Sequence, residues 1–340
     1  RNSIAIGAVA MCNLTSQPQH AIALGMSSQQ LAGGNYNISI GGYGLRSATG
    51  SSNTTIGDKA GCANTSGYQN TYMGNNTGKT NTTAHFITAV GSEAASQNTA
   101  AYTTAFGAYA LNQNTTGAYN IAFGMFAMRN NNVGSQNTAI GTYGLCGNTS
   151  GMCNTAVGYK ALKTNTTGSY NIAIGTCSLC SNTNSSSNVA IGWKALLCNT
   201  NGGSNIAIGS RAIECNCSGS SNIGIGSASL LKTTGNYNIA VGNDAQINNT
   251  TGSCNVTVGY QSAFFGTTGY CNTAVGNRAL QKVTTFDVFE GQSIPQEKKS
   301  VAINVVIQAS DKTLTESDLE EISQKIINTV KDKTGATIRS

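Results

Sequence analysis

Along most of this chain a polar residue is followed by an apolar residue or threonine, a small residue, an apolar residue and a glycine. Asn171-Ile-Ala-Ile-Gly175 and Asn188-Val-Ala-Ile-Gly192 are two copies, and the phrase runs from Ser3 to Gly276. Its closing glycines, Gly141, Gly158, Gly175, Gly192, Gly209 and Gly226 among them, recur at a nearly fixed interval, most of them 17 apart. Repetition at a fixed interval predicts stacked units, because a catalytic centre needs its residues only once. Two helices with their turns need about twice this length. A short β-branched run closed by glycine instead predicts a strand and a tight turn in each unit.

The places of the unit are numbered from its opening polar residue. The fourth place is apolar in every copy, including Ile140, Val157, Ile174, Ile191, Ile208, Ile225, Val241, Val258 and Val275, and this predicts a buried core ladder. The third place is nearly always Ala, Ser, Thr or Gly, with Tyr72 the exception. Side chains alternate along a strand, so the second and fourth places share one face and the third takes the other. A second apolar pair follows each glycine, as at Ala161-Leu162 and Ala195-Leu196, and predicts a second short strand per coil. Coils of this kind form an all-β fold, a parallel β-roll or β-solenoid. A single thin coil leaves apolar faces in water, which predicts self-association along the rod.

The Asn-x-Ala-Ile/Val-Gly-x-x-Ala-Leu unit resembles the head repeats of trimeric autotransporter adhesins of the YadA type. It is more similar still to the "NTAVGYKAL" repeats of phage and viral tail-fibre proteins. The resemblance covers residues 2–283 and implies a left-handed roll, a homotrimer and attachment to a host-surface glycan or protein receptor. It further implies a fibre outside the cell or on a virion or cell surface. With its glycines 17 apart the unit is longer than the adhesin repeat, and the adhesins' stalk and membrane barrel are not in this sequence.

Composition changes near Val283–Thr285, which divides the chain into a repeat shaft, residues 1–283, and a small α+β segment, residues 284–340. The shaft holds 12 Lys/Arg and four Asp/Glu; the segment after it holds seven and nine, and none of the 11 cysteines. Residues 301–308 alternate as a strand. Thr315 and Asp318 outline a helix start, and the helix runs to about Lys333 with Leu319, Ile322, Ile326, Ile327 and Val330 on one face. Phe286-Asp287-Val288-Phe289, Gly291, Ile294-Pro295, Lys298-Lys299-Ser300, Thr313-Leu314-Thr315, Gly335-Ala336 and Arg339 resemble the C-terminal end of the bacterial phenylalanyl-tRNA synthetase β subunit. That family's domain is ferredoxin-like and binds the tRNA anticodon region. Glycine-rich repeat stands here where its first strand and helix belong, so the segment reads as a partial ferredoxin-like fold. This gives a second functional reading, an RNA-binding protein with the repeat as spacer.

The remaining chemistry is sparse. Cys177 and Cys180 form a CxxC without a second CxxC or histidine pair to complete a zinc site. Cys198 and Cys215 stand one repeat apart, as do Cys254 and Cys271, so each pair falls in neighbouring coils. Stacking at ~4.8 Å suits a disulfide, and small apolar ladder residues would occupy the same columns equally well. Only four acids in the whole shaft exclude an Asp-rich calcium repeat. Tyr36, Tyr102, Tyr119, Tyr170 and Tyr237 precede the opening place and form either a ladder on a turn or a carbohydrate-contacting stripe. The positive charge reads as thinly spread, which argues against a nucleic-acid groove. No apolar run is long enough to span a membrane. No residue stands out as catalytic and no cofactor is implied, so the chain is expected to be a structural protein and not an enzyme.

Overall fold

The structure, a computed structural model, describes residues 2–14, 16–264, 266, 268–280, 283–289, 300–305, 320, 323–325, 327, 328 and 331. Two compact units divide at Ala279 and Leu280, a few residues before the compositional boundary.

The first unit is a β-solenoid. Seventeen strands, from Ile4–Ile6 to Thr273–Val275, occupy the second to fourth places of successive coils, and the four-residue Ile87–Val90 and Thr103–Phe106 also take in the first. Each pairs in parallel with the next at the same place, as in Thr155↔Ile172, Ala156↔Ala173 and Val157↔Ile174. Sixteen steps at about 4.8 Å make this unit roughly 77 Å long.

The inside of the coil is smaller than the apolar pattern suggests. The third place points inward, and Ala139, Ala156, Ala173, Ala190 and Ala207 are fully buried. Opposite them stand the eighth and ninth places, as in Ala161-Leu162 and Ala195-Leu196, also fully buried. Leucine from the turn fills the narrow lumen and leaves only a methyl's room on the strand side. The fourth place is therefore outside. Ile140, Ile174, Ile208, Ile225, Val258 and Val275 are between 37% and 68% exposed, and Val157, Ile191 and Val241 are half-buried. These residues form a hydrogen-bonded column as expected, but its side chains face outward and do not build the core of a single chain.

Two asparagine ladders complete the interior. Asn137, at the first place, donates its side-chain amide to the Gly151 carbonyl at 2.9 Å. Asn148, at the twelfth, donates to the same carbonyl at 3.0 Å. The Asn137 amide oxygen accepts the backbone N–H of Asn154 in the next coil at 2.9 Å. Asn148 also donates to the Asn131 side-chain oxygen at 2.6 Å. Both asparagines are fully buried. Such side chains fit a dry interior because each is hydrogen-bonded; an unpaired one would cost about 1–3 kcal/mol.

The second apolar pair is a turn and not a strand. Lys160 and Leu162, the seventh and ninth places, have φ of 58° and 50°. Ala161 donates back to the Gly158 carbonyl at 3.3 Å, while Leu162 donates across to Ser178 in the next coil at 3.0 Å. The coil-to-coil bonds continue through residues whose φ is foreign to a strand. They offset the roughly 1–2 kcal/mol that each left-handed non-glycine residue costs. The phrase-closing glycine is required for a different reason. Gly175 has φ of 131°, and a Cβ there would lie 2.5 Å from the Gly192 carbonyl oxygen of the next coil. Gly141, Gly158, Gly192, Gly209 and Gly226 share this conformation.

In the second unit, strand Val283–Phe289 pairs antiparallel with Ser300–Val305, and the register shifts between Thr285 and Asp287. Residues 320, 323–325, 327, 328 and 331 are helical, within the span expected for the helix. Thr315, Asp318, Leu319, Ile322, Ile326, Val330 and Gly335 lie outside the described residues, as do residues 306–308 of the expected strand.

Candidate functional site

Alanine, leucine and asparagine side chains fill most of the lumen, and the outer faces of the coil carry most of the charged and aromatic ones. The strand face is the most regular. Its fourth place carries Ile, Leu, Val, Met or Phe outward on every coil and its second place Ile, Val or Thr, giving an apolar column beside a mixed one along the sheet. Phe106 and Phe123 stack within the fourth-place column with ring centroids 4.7 Å apart.

Aromatic side chains border this face on both sides. On the corner before the strand, Tyr36 stacks on His20 at 5.4 Å, and Tyr102 stacks on Phe86 and Tyr119 at 5.2 and 5.0 Å. Tyr170 and Tyr237 occupy the same place, but their column neighbours are Cys153, Ser187, Ser221 and Cys254. They are 62% and 65% exposed. The expected tyrosines thus divide into stacked and unstacked members. Stacked rings cover one another's faces and leave little face for a sugar.

A second ladder lies on the corner after the strand, where Tyr109, Phe126 and Tyr143 stack at 5.4 and 5.0 Å. Sequence reasoning missed it, although these three aromatics also stand one repeat apart. The same corner corrects the reading of the charge. Each charged residue from Arg46 to Arg278 falls between the sixth and eleventh places of its unit. The charges are therefore few but gathered on one corner. The Tyr159 hydroxyl beside Lys160 raises the pKa of its ammonium, and desolvation only partly opposes this.

The cysteine columns stand in register. The Cys198 amide donates to the Glu214 carbonyl at 2.9 Å and the Cys215 amide to Leu231 at 2.8 Å, one coil further on. Cys254 and Cys271 donate to Asn236 and Ser253 in the same way. All four are free thiols. Burial pushes the Cys198 thiol up, and Cys215, Cys217 and Glu214 beside it push it further. Cys180 is raised by burial and then by Cys177, its CxxC partner. Among the described residues no three or more His, Cys, Asp or Glu side chains gather where a metal could be held, and no helix is long and apolar enough to cross a membrane.

The likenesses to known proteins fall on the other end of the chain. Residues 269–339 match the ferredoxin-fold anticodon binding domain family. The first of these residues, 269–279, lie in the solenoid unit, so the matched span begins just ahead of the last solenoid strand, Thr273–Val275. The phenylalanine–tRNA ligase beta subunit of Bartonella henselae is 45% identical over 62 residues, which is 18% of this chain and 8% of the relative. That of Rhodopseudomonas palustris is 44% identical over 62 residues, with the same shares. That of Bradyrhizobium diazoefficiens is 47% identical over 58 residues, 17% of this chain and 7% of the relative. The chain thus spans less than a tenth of the length of these relatives. No solved structure matches the chain.

Proposed function

We propose that the solenoid is the shaft of a structural fibre, not an enzyme, in which three copies associate along their strand faces and the assembled rod serves attachment at a virion or cell surface. One observation supports this reading above the others: an unbroken apolar fourth-place column faces outward over seventeen coils beside a second column of isoleucine, valine and threonine, although the lumen is already filled largely by alanine, leucine and asparagine. A contiguous apolar surface of that length is more than an isolated soluble chain ordinarily exposes, and a second and third copy would remove it from water. Ile174→Asp and Ile208→Asp test the reading, because both side chains lie outside the lumen. The wild-type chain should sediment as a trimer. Each variant should remain folded by circular dichroism yet sediment as a monomer, since pairing would bury an unpaired carboxylate. A wild-type monomer at micromolar concentration, or trimers from both variants, would defeat it.

A second reading rests on the match of residues 269–339 to an anticodon-binding domain family. In it the tail binds RNA and the solenoid is a spacer. It requires that the chain retain tRNA on a filter, and that substituting Lys298 and Lys299 abolish retention.

A further inference from the structure

The charged corner of the solenoid is not uniform along its length. Asp58 and Glu93 lie toward one end, Glu214 and Asp244 toward the other, and between Glu93 and Glu214 there is no acid at all. Arg129, Lys160, Lys163, Lys194 and Arg211 occupy that interval, each at the seventh or tenth place. Arg211 is tied to Glu214 by an ion pair at 2.5 Å. The other four face solvent or lie half-buried. They span four coil steps, roughly 19 Å, in two adjacent columns.

Aromatic side chains are interleaved with this row. The Arg129 guanidinium lies 5.4 Å from the Phe126 ring centroid and 5.9 Å from that of Tyr109. Lys160 Nζ is 4.8 Å from the Tyr159 centroid and Lys194 Nζ is 4.4 Å from that of Trp193. Rings in these positions hold long, flexible cations in place, which lowers the ordering cost of binding a polyanion. They do not offer stacking platforms. Phe126 is covered by Tyr109 and Tyr143, and Tyr159 and Trp193 each carry an ammonium over the ring. Single-stranded nucleic acid needs free aromatic faces for its bases, so this corner suits it poorly.

We infer that the corner formed by Arg129, Lys160, Lys163 and Lys194 binds an extended acidic polysaccharide, its carboxylates or sulfates meeting cations on every second coil. A rigid ladder presents its donors along one straight axis. A repeating linear polymer can follow that axis over several units, whereas a folded protein touches it at one patch. The inference names a partner for the attachment role and rests on that reading, but it does not require the trimer.

The experiment uses the full chain with heparin as the sulfated probe, polygalacturonate as the carboxylated one, and dextran and oligo-dT as comparisons. Affinity for at least one acidic polysaccharide should be measurable, should weaken as salt rises, and should be absent for dextran. The combined variant Lys160→Gln, Lys163→Gln, Lys194→Gln should lose at least about tenfold in affinity, while Lys59→Gln with Lys79→Gln, on the same corner beyond Glu93, should retain it. Circular dichroism checks that all variants fold, and sedimentation of the same samples reports the trimer separately. The inference is overturned if neither acidic polysaccharide binds at low salt, or if the combined variant binds as the wild type does. Oligo-dT binding that exceeds polysaccharide binding and is lost in the combined variant would overturn it in favour of nucleic acid.

Discussion

The coils from Gly124 to Gly209 and the two coils around Tyr72 solve one packing problem differently. In the regular coils alanine stands at the third place and a leucine or similar residue at the ninth: Ala139 with Leu145, Ala156 with Leu162, Ala173 with Leu179. Around Tyr72 both choices are reversed. Tyr72 takes the third place and is fully buried, while Gly61 and Gly78 replace leucine at the ninth. A Cβ on Gly78 would lie 2.2 Å from the Tyr72 ring, and one on Gly61 3.0 Å from it. The ring thus fills the lumen from the strand side, where two leucines fill it elsewhere from the turn side. Its hydroxyl accepts a hydrogen bond from the Asn81 side chain at 2.7 Å, which joins it to the asparagine ladder. The comparison teaches that the lumen fixes a volume and leaves open which wall supplies it.

Breaking that exchange should have the largest effect. Tyr72→Ala leaves leucine missing from both flanking ninth places, so nothing fills the space of the ring, and the loss should be about 3–5 kcal/mol. Hydrogen exchange should show it as early opening of residues 57–91. Gly78→Leu alone should also destabilise, because its side chain begins where the ring lies. Combined, Tyr72→Ala and Gly78→Leu should recover a large part of the loss, since Gly78 has φ of 58°, close to that of the leucines it would imitate. Additive losses in the double-mutant cycle would show that ring and glycine are not exchanging volume.

Much of this fold was legible in the sequence and some of it could not be. The glycine period located every strand of the solenoid, because Gly175 and its counterparts must approach the next coil more closely than any Cβ permits. The phase of the interior was misread at Ile174 and its column. Apolarity indicates burial only when the alternative is water, and a face that awaits another copy is apolar too. The turn at Lys160 and Leu162 was hidden for another reason. Positive φ normally selects glycine or asparagine, and here hydrogen bonds to the next coil override the preference. Tyr72, Gly61 and Gly78 each stand out as irregular in the sequence, but only three-dimensional adjacency makes them one feature. The charged corner needed the same step, because composition counts charges without saying where they point. For the tail, the motif stretches from Phe286 to Arg339 pointed to the anticodon-binding family that residues 269–339 match.

A smaller version of the exchange occurs at Gly224, the third place of its coil, where alanine is usual. A Cβ there would lie 2.7 Å from Ile213 Cγ1. Ile213 occupies the ninth place, where leucine is common, and its branch at Cβ pushes bulk toward the strand. Gly224→Ala should therefore cost about 1–3 kcal/mol through overpacking, although alanine is the residue of most other coils. Adding Ile213→Leu should remove most of that cost. The thermal midpoints of the two single variants and the double variant decide the matter, and a neutral Gly224→Ala would show that the ninth place does not set the size of the third.

The smallest effect tests the polar end of the Tyr72 ring. Tyr72→Phe keeps the volume and removes one acceptor from Asn81, which still donates to the Ala84 carbonyl at 3.0 Å. The cost at neutral pH should be about 1 kcal/mol, that of one buried hydrogen bond. Burial pushes the Tyr72 hydroxyl well above the ordinary tyrosine range, and the Asn81 bond only partly opposes this. A pKa raised in the folded state gives stability that is complete below the unfolded value, about pH 10, and that declines as pH rises above it. The unfolded chain can release that proton and the folded chain holds it. The phenylalanine variant has no such proton to release. Its disadvantage of about 1 kcal/mol should therefore shrink above about pH 10 and reverse at higher pH. Urea midpoints of the two proteins measured from neutral to alkaline pH should converge and then cross. Parallel curves would mean that the Tyr72 hydroxyl reaches water and is not sealed inside the coil.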